Sequence, residues 1–131
     1  MIVAAATRHR RLLWAITIGY WLILFTLTHL PPSRLPETHV SDKLEHFTAY
    51  GLLAGWLTLA MASERRSALL TAGIVLAIVL VYGAADELTQ PFTHRTCDIH
   101  DWYTDAIGAA LAVAIVTIAR ILARRPSSQA L

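Results

Sequence analysis

The chain has 131 residues, room for one domain, and 56% of them are apolar while only 15% are charged, against about 25% charged in soluble domains. Its mean hydropathy is +0.52 and its net charge +2, but the basic residues flank apolar runs and form no single patch, which argues against nucleic-acid binding. The one cysteine, Cys97, excludes an internal disulfide, and no Cys/His spacing resembles a structural zinc site.

Four continuous apolar runs follow one another, each near the length of a membrane span. The first covers 12–30, 19 residues, and reaches about 28 Å at 1.5 Å per residue. Pro31 and Pro32 stop it, because proline cannot continue a helix. Arg8, Arg10 and Arg11 precede it. The run is long for a signal peptide, and "HLPPSRLP" offers no small-x-small cleavage site, so a retained helix is expected. A loop over 31–43 leads to the second span, about 44–62, with Glu45, His46 and Tyr50 in its first two turns. "SERR" at 63–66 reads as a tight polar turn. The third span, about 68–88, ends in "ADELTQ", and "PFTHRTCD" at 91–98 forms a second loop. The fourth, about 99–122, becomes compatible with lipid only near Ala106. The expectation is a single all-α domain over 1–131, a four-transmembrane-helix bundle with short connections and antiparallel neighbours.

Charge orients the bundle. Arg8, Arg10, Arg11, Arg65, Arg66, Arg120, Arg124 and Arg125 fall on one side, and only Arg34, Lys43 and Arg95 on the other. The positive-inside rule makes the first side cytoplasmic, with both termini there. Among the acids only Glu64 is inside; Glu37, Asp42, Glu45, Asp86, Glu87, Asp98, Asp101 and Asp105 are outside. Topology requires few outer basic residues. It does not require outer acids, so these point to a task at the outer ends.

Asp42, His46 and Tyr50 lie at i, i+4 and i+8, one face of the second helix. His46 and Tyr50 also suit a membrane interface, where imidazole and phenol reach headgroup water. Gly51 and Gly55 permit close helix approach and are assigned no chemistry. In the third helix Gln90 shares a face with Asp86 and neighbours Glu87. Two adjacent carboxylates at a helix C-terminus oppose the macrodipole and need a partner, unless they merely end the span in water. Asp98, Asp101 and Asp105 make one stripe on the fourth helix, continued by Gly108 and Ala112. Asp98 and Asp101 suit a helix start as cap and first-turn acid, but Asp105 lies a turn deeper, where acids face a partner or a wet cavity. Trp102 and Tyr103 fit an interfacial belt. Arg95 is suited either to an internal salt bridge or to a phosphate or carboxylate ligand. His39, His94 and His100 share no register with these groups and read as surface histidines; Cys97 reads as incidental.

"SDKLEHFTAYGLL" at 41–53 and "YGAADELTQPFTHRTCDIHDWYTDAIGAAL" at 82–111 resemble the VanZ-like family of bacterial integral membrane proteins. Asp42, Lys43, His46, Phe47 and Tyr50 match its first motif, Glu87 and Gln90 its second, and Arg95, Asp101, Asp105 and Gly108 its third. Thr89 stands where the family often has His, Asp105 where it often has Asn, and Ala112 where it has a later Gly. Asp105 therefore alters the local charge. The resemblance covers nearly the whole chain. It implies the outer leaflet of a bacterial inner (cytoplasmic) membrane, a multi-pass protein, and a connection with glycopeptide antibiotics through low-level teicoplanin resistance. It implies no particular reaction.

The favoured expectation is a non-enzymatic cell-envelope protein that binds a lipid-linked peptidoglycan precursor or a glycopeptide antibiotic. The expected ligand-binding set is Lys43, His46, Tyr50, Glu87, Gln90, Arg95, Asp101 and Asp105. Lys43, His46 and Arg95 would contact anionic groups, held in place by Glu87, Asp101 and Asp105, with His46, Glu87, Arg95 and Asp101 in one accessible pocket. No metal and no cofactor is expected. One alternative is a membrane enzyme acting on a lipid-linked phosphate or peptide, with His46, Glu87 and Asp101 as catalytic candidates; the lack of a nucleophile motif counts against it. Another is a structural subunit of a membrane complex, whose polar cluster only ties helices together.

Overall fold

The computed structural model describes residues 2–35, 39–64 and 66–123. Glu37, Arg65, Arg124 and Arg125, four of the charges that entered the topology count, lie outside the described residues. Among the described residues all regular structure is helical: α1 (Ile2–Thr28), α2 (Asp42–Ala62), α3 (Ala68–Thr89) and α4 (Ile99–Ala123), with short 3-10 turns at Pro32–Arg34 and Gln90–Thr93.

The helix ends follow from their caps. α1 stops at Thr28 because Pro31 has no N–H to donate and restricts the residue before it. Its start at Ile2 precedes the expected 12–30 span: no breaker separates residue 2 from residue 12, so the helix continues past its lipid-compatible part. Ser41 caps α2 by accepting the Leu44 N–H at 3.3 Å, and Ser67 caps α3 by accepting the Leu70 N–H at 3.2 Å. Asp98 caps α4, its Oδ1 accepting the His100 N–H at 2.9 Å. The α3–α4 connection turns through His94, at φ 62°, the left-handed region that costs a non-glycine residue. Its N–H donates to the Pro91 carbonyl and the Arg95 N–H to the Gln90 carbonyl, bending the chain from α3 back to α4.

The segments Thr7–Thr28, Ala68–Thr93 and Ile99–Ala123 are long and apolar enough to cross a membrane. α2 is not among them, although a span was expected over 44–62. Asp42, Lys43 and Glu45 crowd its first turn, and His46 and Tyr50 follow. Each helix buries one stripe: Thr71, Val75, Val79, Gly83 and Glu87 on α3, and Asp101, Asp105, Ala109, Val113 and Thr117 on α4, both in steps of four. Leu53, Ala54, Leu57 and Met61 of α2 face these stripes, with Leu24 of α1, in the apolar core. The large side chains on the outer faces are apolar, among them Leu22, Ile23, Val81, Ile107 and Ile118. An apolar exterior around a partly polar interior reverses the arrangement of a water-soluble domain.

α2 packs most extensively on α4. Two glycines allow this. A Cβ on Gly108 would stand 2.2 Å from the Phe47 carbonyl oxygen, and one on Gly51 would stand 3.2 Å from the Gly108 carbonyl oxygen. The two backbones therefore touch, as small residues allow in membrane bundles. That contact sets His46, beside Phe47, opposite Asp105, one turn before Gly108.

Candidate functional site

The C-terminal ends of α1 and α3 and the N-terminal ends of α2 and α4 meet at one end of the bundle, and most of the polar side chains singled out from the sequence meet there. Lys43 hydrogen-bonds to Asp98, at 2.8 Å, and to Asp101. The Asp101 and Asp98 carboxylates raise the Lys43 ammonium above its usual range, and Lys43 together with the His100 N–H lowers Asp98 below the ordinary carboxylate range. Deeper in the bundle, His46 Nδ1 pairs with Asp105 Oδ1 at 3.0 Å. Both residues are buried. The other Asp105 oxygen, Oδ2, is buried without a hydrogen-bond partner.

Asp86, 2% exposed, joins three helices. It accepts hydrogen bonds from Thr28 of α1 at 2.8 Å and from the Tyr50 hydroxyl of α2 at 2.8 Å. His29 Nδ1 lies 3.5 Å away. Donors from two other helices thus converge on a carboxylate that the helix C-terminus disfavours. Gln90 is buried between the acids of α3, its Nε2 at 3.4 Å from both Asp86 Oδ2 and Glu87 Oε1. Glu87 Oε2 accepts the Asp98 N–H at 2.9 Å, which ties α3 to the start of α4.

Between α1 and α2 a cavity of about 270 Å³ opens beside this cluster. Leu24, Leu27, Leu35 and Ala49 give it an apolar wall; Asp42, Glu45, His46, Tyr50 and Arg95 give it a polar one. Arg95 forms no ion pair among the described residues, and its guanidinium donates to the Leu27 carbonyl at 3.4 Å.

The sequence expectation that Glu87, Asp101 and Asp105 hold the three cations therefore needs redrawing. Asp101 does hold Lys43 and Asp105 does pair with His46. Glu87 accepts a backbone N–H, and Arg95 lines the cavity without an ion pair to Glu87, Asp101 or Asp105. Tyr50 lines the cavity with part of its ring, but its hydroxyl is committed to Asp86. Thr28, His29 and the central position of Asp86 were not anticipated. A Thr-His pair just before Pro31, at the same end as the acids, was the available signal, and helical periodicity within one helix does not reveal it.

A helical chain with three segments fit to cross a bilayer, an apolar exterior and polar groups gathered inside one end is a membrane protein. The family model described as VanZ/LLP1 matches residues 4–120, and the chain belongs to that VanZ-like family. No curated protein and no solved structure matches the chain.

Proposed function

We propose that this protein is a four-span component of the bacterial cytoplasmic membrane, with both termini inside, that binds a lipid-linked envelope precursor or a glycopeptide antibiotic at its outer face without transforming it. The observation that carries this reading is Arg95. Its guanidinium lines a cavity, makes no ion pair among the described residues, and faces a wall built from leucines. A guanidinium fork whose one hydrogen bond is the long contact to the Leu27 carbonyl suits a phosphate or carboxylate, and leucine walls suit the first carbons of a lipid chain. Asp42, which lines the same cavity as Arg95, favours a ligand that also carries amines, as a peptide-bearing head does.

Arg95→Lys tests this. It keeps the charge and removes the planar fork. The expected outcome is wild-type abundance in membranes with loss of protection in a teicoplanin-susceptibility assay; full protection by the variant would overturn the reading. The enzymatic alternative draws on the buried His46–Asp105 pair beside Glu87, which has the form of an oriented base. On that alternative His46→Ala abolishes turnover of a lipid-linked substrate while binding remains measurable. A binding protein shows no turnover even with His46 intact.

A further inference from the structure

His46 of α2, Glu87 of α3 and Asp105 of α4 present donor atoms within 4.8 Å of one another, and all three residues are buried. Their charges do not balance. The ammonium of Lys43 is already shared by Asp98 and Asp101. Glu87 and Asp105 are left facing a single imidazole. With both carboxyls ionised and that imidazole neutral, two negative charges are buried together, and burial disfavours ions left without a compensating charge.

An independent feature lies at Asp105. Oδ1 is used by His46, but Oδ2 is buried and has no hydrogen-bond partner among the described residues. It points from α4 toward α3, 3.5 Å from where a Cβ on Gly83 would sit, and Gly83 is one turn from Glu87 on the same face of α3. Buried carboxylate oxygens are rarely left without a donor. Glu87 Oε1, for its part, has only the long 3.4 Å contact to Gln90.

We infer that His46, Glu87 and Asp105 hold a divalent metal ion. A dication balances two carboxylates and a neutral imidazole and gives the orphaned Asp105 oxygen a partner. One nitrogen and two oxygens, with no sulfur, suit Zn²⁺ or Mn²⁺; Ca²⁺ takes 6–8 oxygens and Mg²⁺ keeps most of its waters. Ligands at about 2.0–2.2 Å from an ion stand no more than about 4.4 Å apart, so the three side chains need close in only slightly. The Asp98 N–H on the other Glu87 oxygen fixes that carboxylate's direction, as outer hydrogen bonds do at metal sites. A second set, Asp42, His46 and Asp101, is equally close, but Lys43 already neutralises Asp101 and Asp42 is exposed. The metal site does not depend on which ligand the neighbouring cavity takes.

The test uses tag-free, chelator-stripped full-length protein in detergent micelles, titrated calorimetrically with Zn²⁺ and with Mn²⁺. The expected result is saturable uptake of one ion per chain. Asp105→Asn and Glu87→Gln, nearly isosteric, should each weaken affinity by about tenfold or more, and Asp42→Asn should leave it unchanged. Gel filtration and far-UV circular dichroism report whether each variant is folded. Absence of 1:1 uptake by folded wild-type protein overturns the site. So does loss of binding in Asp42→Asn with retention in Asp105→Asn. Should both substituted ligands unfold the protein, the Co²⁺ spectrum of the wild type decides. Bands of nitrogen and oxygen ligation alone support the site, and a thiolate charge-transfer band places the ion on Cys97 and overturns it.

Discussion

Asp86 sits where a carboxylate is least welcome, at the C-terminal end of a helix and 2% exposed, and three helices supply what keeps it there. Tyr50→Phe deletes one of its donors without changing the ring packing against Tyr82. The expected cost is about 1.5–3 kcal/mol, that of a hydrogen bond to a charged group, read as a lower midpoint in reversible unfolding from mixed micelles. Combined with Asp86→Asn, the loss should be clearly less than additive, since both substitutions remove one interaction; additive losses would mean that the two side chains are not coupled. Tyr50 also marks how far sequence reading reaches at this scale. Spacing places Asp42, His46 and Tyr50 on one face of α2, and the structure buries His46 and Tyr50 while leaving Asp42 exposed. Their partners come from other helices, so the hydroxyl that reads as ligand-binding is engaged by Asp86 instead. Thr28 and His29 escape for the same reason: α1 reads as an apolar span, and the polar pair at its end does not reveal that it meets Asp86 of α3.

At the scale of elements, the contact between α2 and α4 governs the site. Gly108→Ala puts a methyl 2.2 Å from the Phe47 carbonyl oxygen, so the helices must separate. Overpacking of this kind costs about 1–3 kcal/mol. The site should suffer with it, because His46 and Asp105 flank the contact and their 3.0 Å pair lengthens as the helices part. Gly55→Ala is the control. Its added carbon meets only the Ala112 side chain, at 3.9 Å, and stability should stay within about 0.5 kcal/mol. Equal behaviour of the two variants in a thermal unfolding series would remove the close crossing from the account. The helices themselves were largely legible, with 68–88 against Ala68–Thr89 and 99–122 against Ile99–Ala123, since apolar runs bounded by Ser, Pro and Asp mark helix ends by local chemistry. Gly51 reads as a packing residue from its spacing with Gly55. That Gly108, and not Gly55, makes the tightest contact depends on how two helices cross, which no single-helix pattern contains.

For the whole molecule the open question is whether α2 crosses the membrane with the other three. Its 21 residues reach about 31 Å, but it is not among the segments apolar enough over a full span. A hydropathy average taken around the helix weighs His46, Tyr50 and Thr58 as if they met lipid, whereas all three are buried inside the protein. The packing supports a crossing. At one end Lys43 pairs with Asp98 and Asp101 of α4; at the other the Arg120 guanidinium of α4 donates to the Ala62 carbonyl at 3.4 Å. α2 thus runs alongside nearly the full length of α4, a segment fit to span the bilayer, and this is the packing that the proposed fourth crossing rests on. On the proposed four crossings the termini would share a side, and under the positive-inside rule Arg8, Arg10, Arg11 and Arg120 would make that side the cytoplasm. A reporter that works only in the cytoplasm, fused after residue 131, should be active, and one inserted in the 31–41 connection should be silent. An exported reporter at the same two positions should give the reverse pattern. Activity of the exported reporter at the C-terminus would mean an odd number of crossings. The ends of α1 and α3 could not then share the outer face with the starts of α2 and α4, and the polar cluster would lose its claim to face the envelope.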